Sequence, residues 1–72
     1  MIRYKADILE KLKGKGYTSY RMRKEGLLSE GTLQKVRVGD ASISIASLNV
    51  ICSLLQCQPG DLIEWIPEGA EE

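Results

Sequence analysis

The stretch Thr18-Ser19-Tyr20-Arg21-Met22-Arg23-Lys24-Glu25-Gly26-Leu27-Leu28-Ser29-Glu30-Gly31-Thr32-Leu33-Gln34-Lys35-Val36-Arg37 decides the fold. A threonine or serine hydroxyl just ahead of a helical run can accept from an amide N–H of the first turn that otherwise has no partner. Thr18 is placed to do this for a helix over 19–25, and Ser29 for a helix over 30–38. Gly26 and Gly39 follow these runs, where a left-handed residue ends a helix at least cost. Leu27 and Leu28 fall in the turn between them. The expectation is two short helices joined by a tight turn.

Outward from this pair, the chain reads as mostly helical. Ile2-Arg3-Tyr4-Lys5 alternates apolar and basic residues, the period of a short strand. A first helix is expected over 5–15, with Ile8, Leu9 and Leu12 as its apolar stripe. Gly14 weakens its last turn and Gly16 closes it. Residues 40–43 form a loop. Ser44 caps a helix that runs to about residue 56, with the stripe Ile45, Leu48, Ile51, Cys52 and Leu55. Ile43 and Leu48 stand at the two positions of a hydrophobic staple. Pro59 fits the first turn of a short fifth helix over 59–63, and Glu64-Trp65-Ile66 looks extended until Pro67. Ile2/Tyr4 and Ile63/Trp65 could pair as a small antiparallel ribbon. Trp65 then serves either as a cap on the core, the preferred reading, or as part of a dimer contact.

Composition narrows the chemistry. Seventy-two residues allow one domain, here 1–67, followed by an acidic tail over 68–72 expected to fray. There is no histidine, and Cys52 and Cys57 are not at CxxC spacing. They read as reduced thiols acting as small hydrophobes rather than as a disulfide, a redox pair or a metal site. No catalytic residue, metal ligand or cofactor-binding motif is expected: a hydrolase or transferase needs a nucleophile with a base beside it. No small-molecule substrate is expected either. With no leader-like segment or apolar run of membrane length, the expectation is a soluble cytoplasmic protein without membrane contact.

Net charge is zero but sorted along the chain. Residues 11–39 hold eight basic side chains against two acids, a net of +6, whereas residues 40–72 hold six acids and no Lys or Arg. A neutral chain arranged this way can still attract a polyanion through one half. On a wheel at about 100° per residue, Leu33 and Val36 share the inward side of the second helix of the pair. Gly31, Gln34, Lys35 and Val38 point the other way, with Glu30 and Arg37 on the flanks. Such a face suits the major groove of duplex DNA. Gln bonds adenine bidentately, Lys bonds guanine O6 and N7, and Val touches a thymine methyl. Gly31 lets the backbone approach closely, and Ser29 with the first-turn N–H groups can meet a phosphate. An ordinary amphipathic surface helix has a polar outer face too. What tips the balance is the pair of short helices set inside the +6 segment.

The pattern Thr18-Ser19-x-x-Met22 followed by Leu28-Ser29-x-x-Thr32-Leu33-x-x-Val36 resembles the T-Q-x-x-L and I-S-x-x-T-[IL]-x-x-[IL] pattern of Cro and phage-repressor type (Xre-like) helix-turn-helix regulators. The stretch from Ile43-Ser44 through Leu48, Ile51-Cys52, Leu54-Leu55 and Cys57 to Pro59-Gly60-Asp61-Leu62 is similar to small bacterial members of the same family. The resemblance spans most of residues 5–66. It implies an all-α fold, a five-helix bundle like the lambda-repressor DNA-binding domain, with double-stranded DNA as partner. By that likeness Ser19 and Tyr20 lie near the phosphate backbone. Ser29, Glu30, Gly31, Gln34 and Lys35 lie near base edges, and Arg37 and the loop after it touch phosphates.

The chain also departs from the family pattern. Ser19 stands where a longer Gln is common. Arg23 stands where a small residue usually packs, so it must snorkel or the helices must splay. The turn glycine comes one position early, and Glu30 repels phosphate although it could accept from cytosine N4.

The function expected is a small transcriptional regulator, a repressor by occlusion, binding as a homodimer to an inverted repeat. The competing reading is a protein-interaction module on the same fold, antitoxin-like or an adaptor, with Leu27, Leu28 and Trp65 as apolar contacts.

Overall fold

Four helices each begin on a side chain that accepts from the amide three residues ahead. Asp7 accepts from Glu10, Thr18 from Arg21, Ser29 from Thr32 and Ser44 from Ser47, at 3.1 to 3.2 Å. The structure, a computed structural model, describes residues 1–68. Its elements are β1 (Ile2–Tyr4), α1 (Ile8–Gly14), α2 (Ser19–Lys24), α3 (Glu30–Val38), α4 (Ile45–Leu55), a single 3-10 turn (Pro59–Asp61) and β2 (Ile63–Trp65). Of the acidic tail expected over 68–72, residues 69–72 lie outside the described residues. No helix among the described residues is long and apolar enough to cross a membrane.

Two element boundaries differ from expectation for physical reasons. The first helix starts at Ile8 rather than at residue 5. The Lys5 amide donates to the Leu62 carbonyl at 2.8 Å, so the chain is still extended there, and Asp7 supplies a cap that the helical stripe alone did not reveal. The expected fifth helix is only a 3-10 turn, leaving four α-helices among the described residues. Gly60 is a poor helix former, the Asp61 carboxylate turns back to accept from the Gln58 amide at 3.0 Å, and the chain then enters β2. The end of α4 is closed by Gln56 in the left-handed region at φ 56°, a conformation more often left to glycine.

All four helices and two of the connections contribute to one core. Ile8 and Leu12 come from α1, Met22 from α2, Leu33 and Val36 from α3, and Ile51 and Leu55 from α4, joined by Leu28 and Leu62 from the connections. Among the described residues no polar or charged residue is buried. Helix α1 packs against both α3 and α4. Leu28 was expected to be available in the turn; it is buried, because the left-handed Gly26 swings the chain back over α2. Ile45 was expected on the buried stripe of α4, yet it is 80% exposed. At about 100° per residue it stands roughly 100° around the helix from the line through Ile51 and Leu55.

Strand β1 pairs antiparallel with β2 in the register Ile2 with Trp65, Arg3 with Glu64 and Tyr4 with Ile63. Alternation puts Ile2, Tyr4, Ile63 and Trp65 on one face. Arg3 and Glu64 share the other, with Nε and Oε2 2.9 Å apart. Tyr4 and Ile63 are half-buried against the core. Trp65 is 65% exposed, so it does not cap the core; it overhangs with Ile2. Both cysteines are free and half-buried. Burial, and then the neighbouring Cys57, push the Cys52 thiol above its ordinary range.

Leu33 sits at the centre with no exposed surface. Leu33→Ala is expected to cost about 2–5 kcal/mol, most of what a core this small supplies, about 3–5 kcal/mol. Ile45→Ala is expected to stay within about 0.5 kcal/mol. Urea unfolding followed by circular dichroism checks both, and comparable losses in the two variants would contradict the assigned core.

Candidate nucleic-acid interface

The turn between α2 and α3 fixes how α3 is presented. Gly26 at φ 70° reverses the chain, the Leu27 amide returns to the Met22 carbonyl at 2.9 Å, Leu28 drops into the core and Ser29 starts α3. With Leu33 and Val36 inward, Gly31, Gln34, Lys35 and Val38 are all exposed. No segment among the described residues covers them. A Cβ on Gly31 would meet nothing within 4 Å, so internal packing does not call for a glycine there. The bare first turn leaves its backbone open to anything that approaches. Val38 is 64% exposed, an apolar group on an otherwise polar face.

The side chains at this surface are engaged more than their sequence positions reveal. The Ser29 hydroxyl is committed to its cap and also donates to Thr32 Oγ1 at 3.0 Å. A guanidinium N–H of Arg23 donates to Glu30 Oε1 at 3.0 Å. Arg23 is exposed, and its head group is drawn toward Glu30 rather than held between the helices. It spans the turn and partly offsets the one acid at the head of α3. Gln34 Oε1 accepts from Arg37 at 2.7 Å, which leaves the amide nitrogen without a partner among the described residues. Lys35 Nζ donates to the Ser42 carbonyl at 3.1 Å, an exposed bond that a stronger acceptor can displace.

The expected site residues fall into three places. Ser29 and Glu30 lie at the head of α3, and Gly31, Gln34 and Lys35 along its exposed side. Ser19 and Arg37 come together at a cleft of about 430 Å³ that Asp7, Glu10, Lys13 and Thr18 also line. Tyr20 stands apart on α2, 66% exposed, with the Lys24 ammonium 5.9 Å from its ring centroid.

Three contributors were not foreseen. Lys13 brings a second cation to the cleft, and Arg23 orients Glu30. Asp40 holds the loop after α3 by accepting from the Ser42 hydroxyl at 2.7 Å and the Ser42 amide at 2.9 Å. Only the Asp-x-Ser spacing, a local turn signal, could have pointed to the last. Arg21 belongs to the fold instead. It bonds Glu25 at 2.8 Å and the Gly16 carbonyl at 3.1 Å, and lies over the Tyr17 ring.

A capped helix turned outward by a short connection, with basic side chains at its end and beside it, is the geometry of a helix-turn-helix DNA-binding unit. The family model of the Cro/C1-type HTH DNA-binding domain matches residues 7–68, from the α1 cap to beyond β2. The chain belongs to that family. No curated protein and no solved structure matches it significantly.

The two bonds from Ser42, and then the nearby Lys35, hold the Asp40 carboxyl below its ordinary 3.8. A depressed folded pKa contributes stability above the ordinary value, and that contribution is lost as pH falls through the lowered one. Asp40→Asn keeps an acceptor for Ser42 but has no charge to lose. It is expected to lose less Tm than the parent chain between about pH 5 and about pH 2.5. Identical acid profiles from calorimetry would contradict the role given to Asp40.

Proposed function

We propose that this protein is a sequence-specific binder of double-stranded DNA that acts in the cytoplasm as a small transcriptional regulator. It represses by occluding its site, with residues 1–67 as the binding domain. The observation that carries the reading is the open face of α3, whose Gly31 answers no packing need and whose neighbours are an amide, an ammonium and an exposed valine.

In this reading α3 lies in the major groove. The Gln34 amide reads adenine, Lys35 leaves the Ser42 carbonyl for guanine O6 and N7, and Val38 meets a thymine methyl. Glu30, steadied by Arg23, is available to a cytosine amino group. Ser19 and Tyr20 on α2, Ser29 with the first-turn amides of α3, and Arg37 with the loop after it position the protein on phosphates. One domain of this size covers few base pairs, and tight specific binding needs more surface. The chain therefore binds as a homodimer to an inverted repeat with half-site centres about one helical turn apart. The competing reading as a protein-interaction module loses support from Leu28, which is buried, and from Leu27, which is half-buried against the core.

Gel shifts on genomic duplexes at graded salt test the proposal. Binding is expected at submicromolar protein and to weaken steeply as salt rises. Gln34→Ala and Lys35→Ala are expected to relax base preference by about 1–3 kcal/mol at single positions. Arg37→Ala is expected to weaken all sequences alike and to reduce the salt slope by about 1. Salt-independent binding, or equal effects from all three substitutions, would contradict it.

A further inference from the structure

Among the described residues, a large apolar surface is left uncovered away from the outward side of α3. The overhanging ribbon face presents Ile2 and Trp65, 49% and 65% exposed, and Ile45 stands on α4 at 80%. Two shallow grooves of about 560 and 250 Å³ flank Ile45, and both are also lined by Leu48 and Ile63. None of the residues lining either groove is Asp, Glu, Lys or Arg. Exposed apolar groups gathered with open grooves beside them mark an association surface rather than ordinary scatter.

We propose that this patch is the face on which a second copy of the same chain docks, with Ile45 of each copy seated in a groove of the other. Three observations favour a second copy over another partner. A two-fold contact requires one surface to supply both projection and recess, and Ile45 and its grooves lie side by side. Such a contact also sets like against like, so a charged patch would repel itself; this one is lined without charge. Finally, Ala41 and Ile43 line one of the grooves, and they stand only a few residues beyond the end of α3. Joining two copies here leaves both α3 faces open and holds them on neighbouring stretches of one duplex. That last use rests on the DNA reading proposed above; the surface itself does not. A patch confined to one side of so small a chain is expected to give a weak dimer, roughly in the micromolar range.

The test needs no DNA at first. Trp65 is the only tryptophan, so its emission reports the patch directly. Over a dilution series of the intact chain, sedimentation equilibrium is expected to move from about twice 8.0 kDa to 8.0 kDa. The emission should shift to the red over the same concentrations. Ile45→Glu alters an exposed position at the start of α4, where an acid suits the helix dipole, so the fold is kept, as circular dichroism will verify. This variant is expected to remain monomeric with red-shifted emission throughout.

On DNA, Ile45→Glu is expected to match the parent on a single half-site and to lose at least about tenfold on a duplex carrying two. Self-association abolished by Ile45→Glu in a chain that binds no DNA supports the surface and removes only the DNA reading. A parent chain that stays monomeric, or a dimer untouched by Ile45→Glu, overturns the proposal even if DNA is bound; the patch would then serve a different partner.

Discussion

The burial of Leu33 governs the molecule. It has no exposed surface and shares a core with Leu12, Met22, Leu28, Val36 and Ile51. A helix turns about 100° per residue, so once Leu33 and Val36 face inward, the direction of Gly31, Gln34, Lys35 and Val38 is no longer free. The caps at Thr18 and Ser29 secure the start of each helix and hence its rotation. A rotation of α3 by one residue would put Gln34 into an apolar core that contains no buried polar group to pair with it. The cost of an unpaired buried amide, about 1–3 kcal/mol, is large against the stability of so small a chain.

Charge adds reach rather than strength. The ion pairs Arg3–Glu64, Arg21–Glu25 and Arg23–Glu30 are all exposed, and pairs of that kind contribute little to stability. Their effect is to decide which cations remain available. Arg21 and Arg23 are engaged within or across α2, whereas Lys13 and Arg37 meet at the cleft beside Ser19. The acids after α3 do not cancel that surface evenly. Asp40 sits next to Lys35 and is spent on closing a loop, while Asp61 and Glu64 belong to the 3-10 turn and β2. A chain of zero net charge thereby keeps Lys13 and Arg37 out of ion pairs near α3, although Asp7 and Glu10 line the same cleft.

What could be read from the sequence was local. Helices α2 and α3 were legible almost to the residue because each carries its own cap and its own terminal glycine. The inward and outward sides of α3 followed from Leu33 and Val36 alone. The misreadings share a cause, which is contact between distant segments. Residues 5 to 7 look helical until Lys5 is seen bonded to Leu62. Ile45 fits an apolar stripe, but the centre of that stripe depends on where α1 lies. Trp65 has the size of a core residue, yet the ribbon register carries it past the body. At the candidate interface the residue types were visible, but not the bonds between them. Arg23 to Glu30, Gln34 to Arg37 and Lys35 to Ser42 depend on the turn and the loop placing those groups within reach.

The account depends on α3 meeting a duplex with its exposed side. Amide chemical shifts of the isotopically labelled chain, followed while a bound duplex is added, test this most directly. The largest changes are predicted at Gly31, Gln34 and Lys35, with smaller ones at Ser19 and Arg37 and almost none at the ribbon residues Arg3 and Glu64. Changes concentrated on the ribbon or the outer side of α4, with α3 silent, would contradict it.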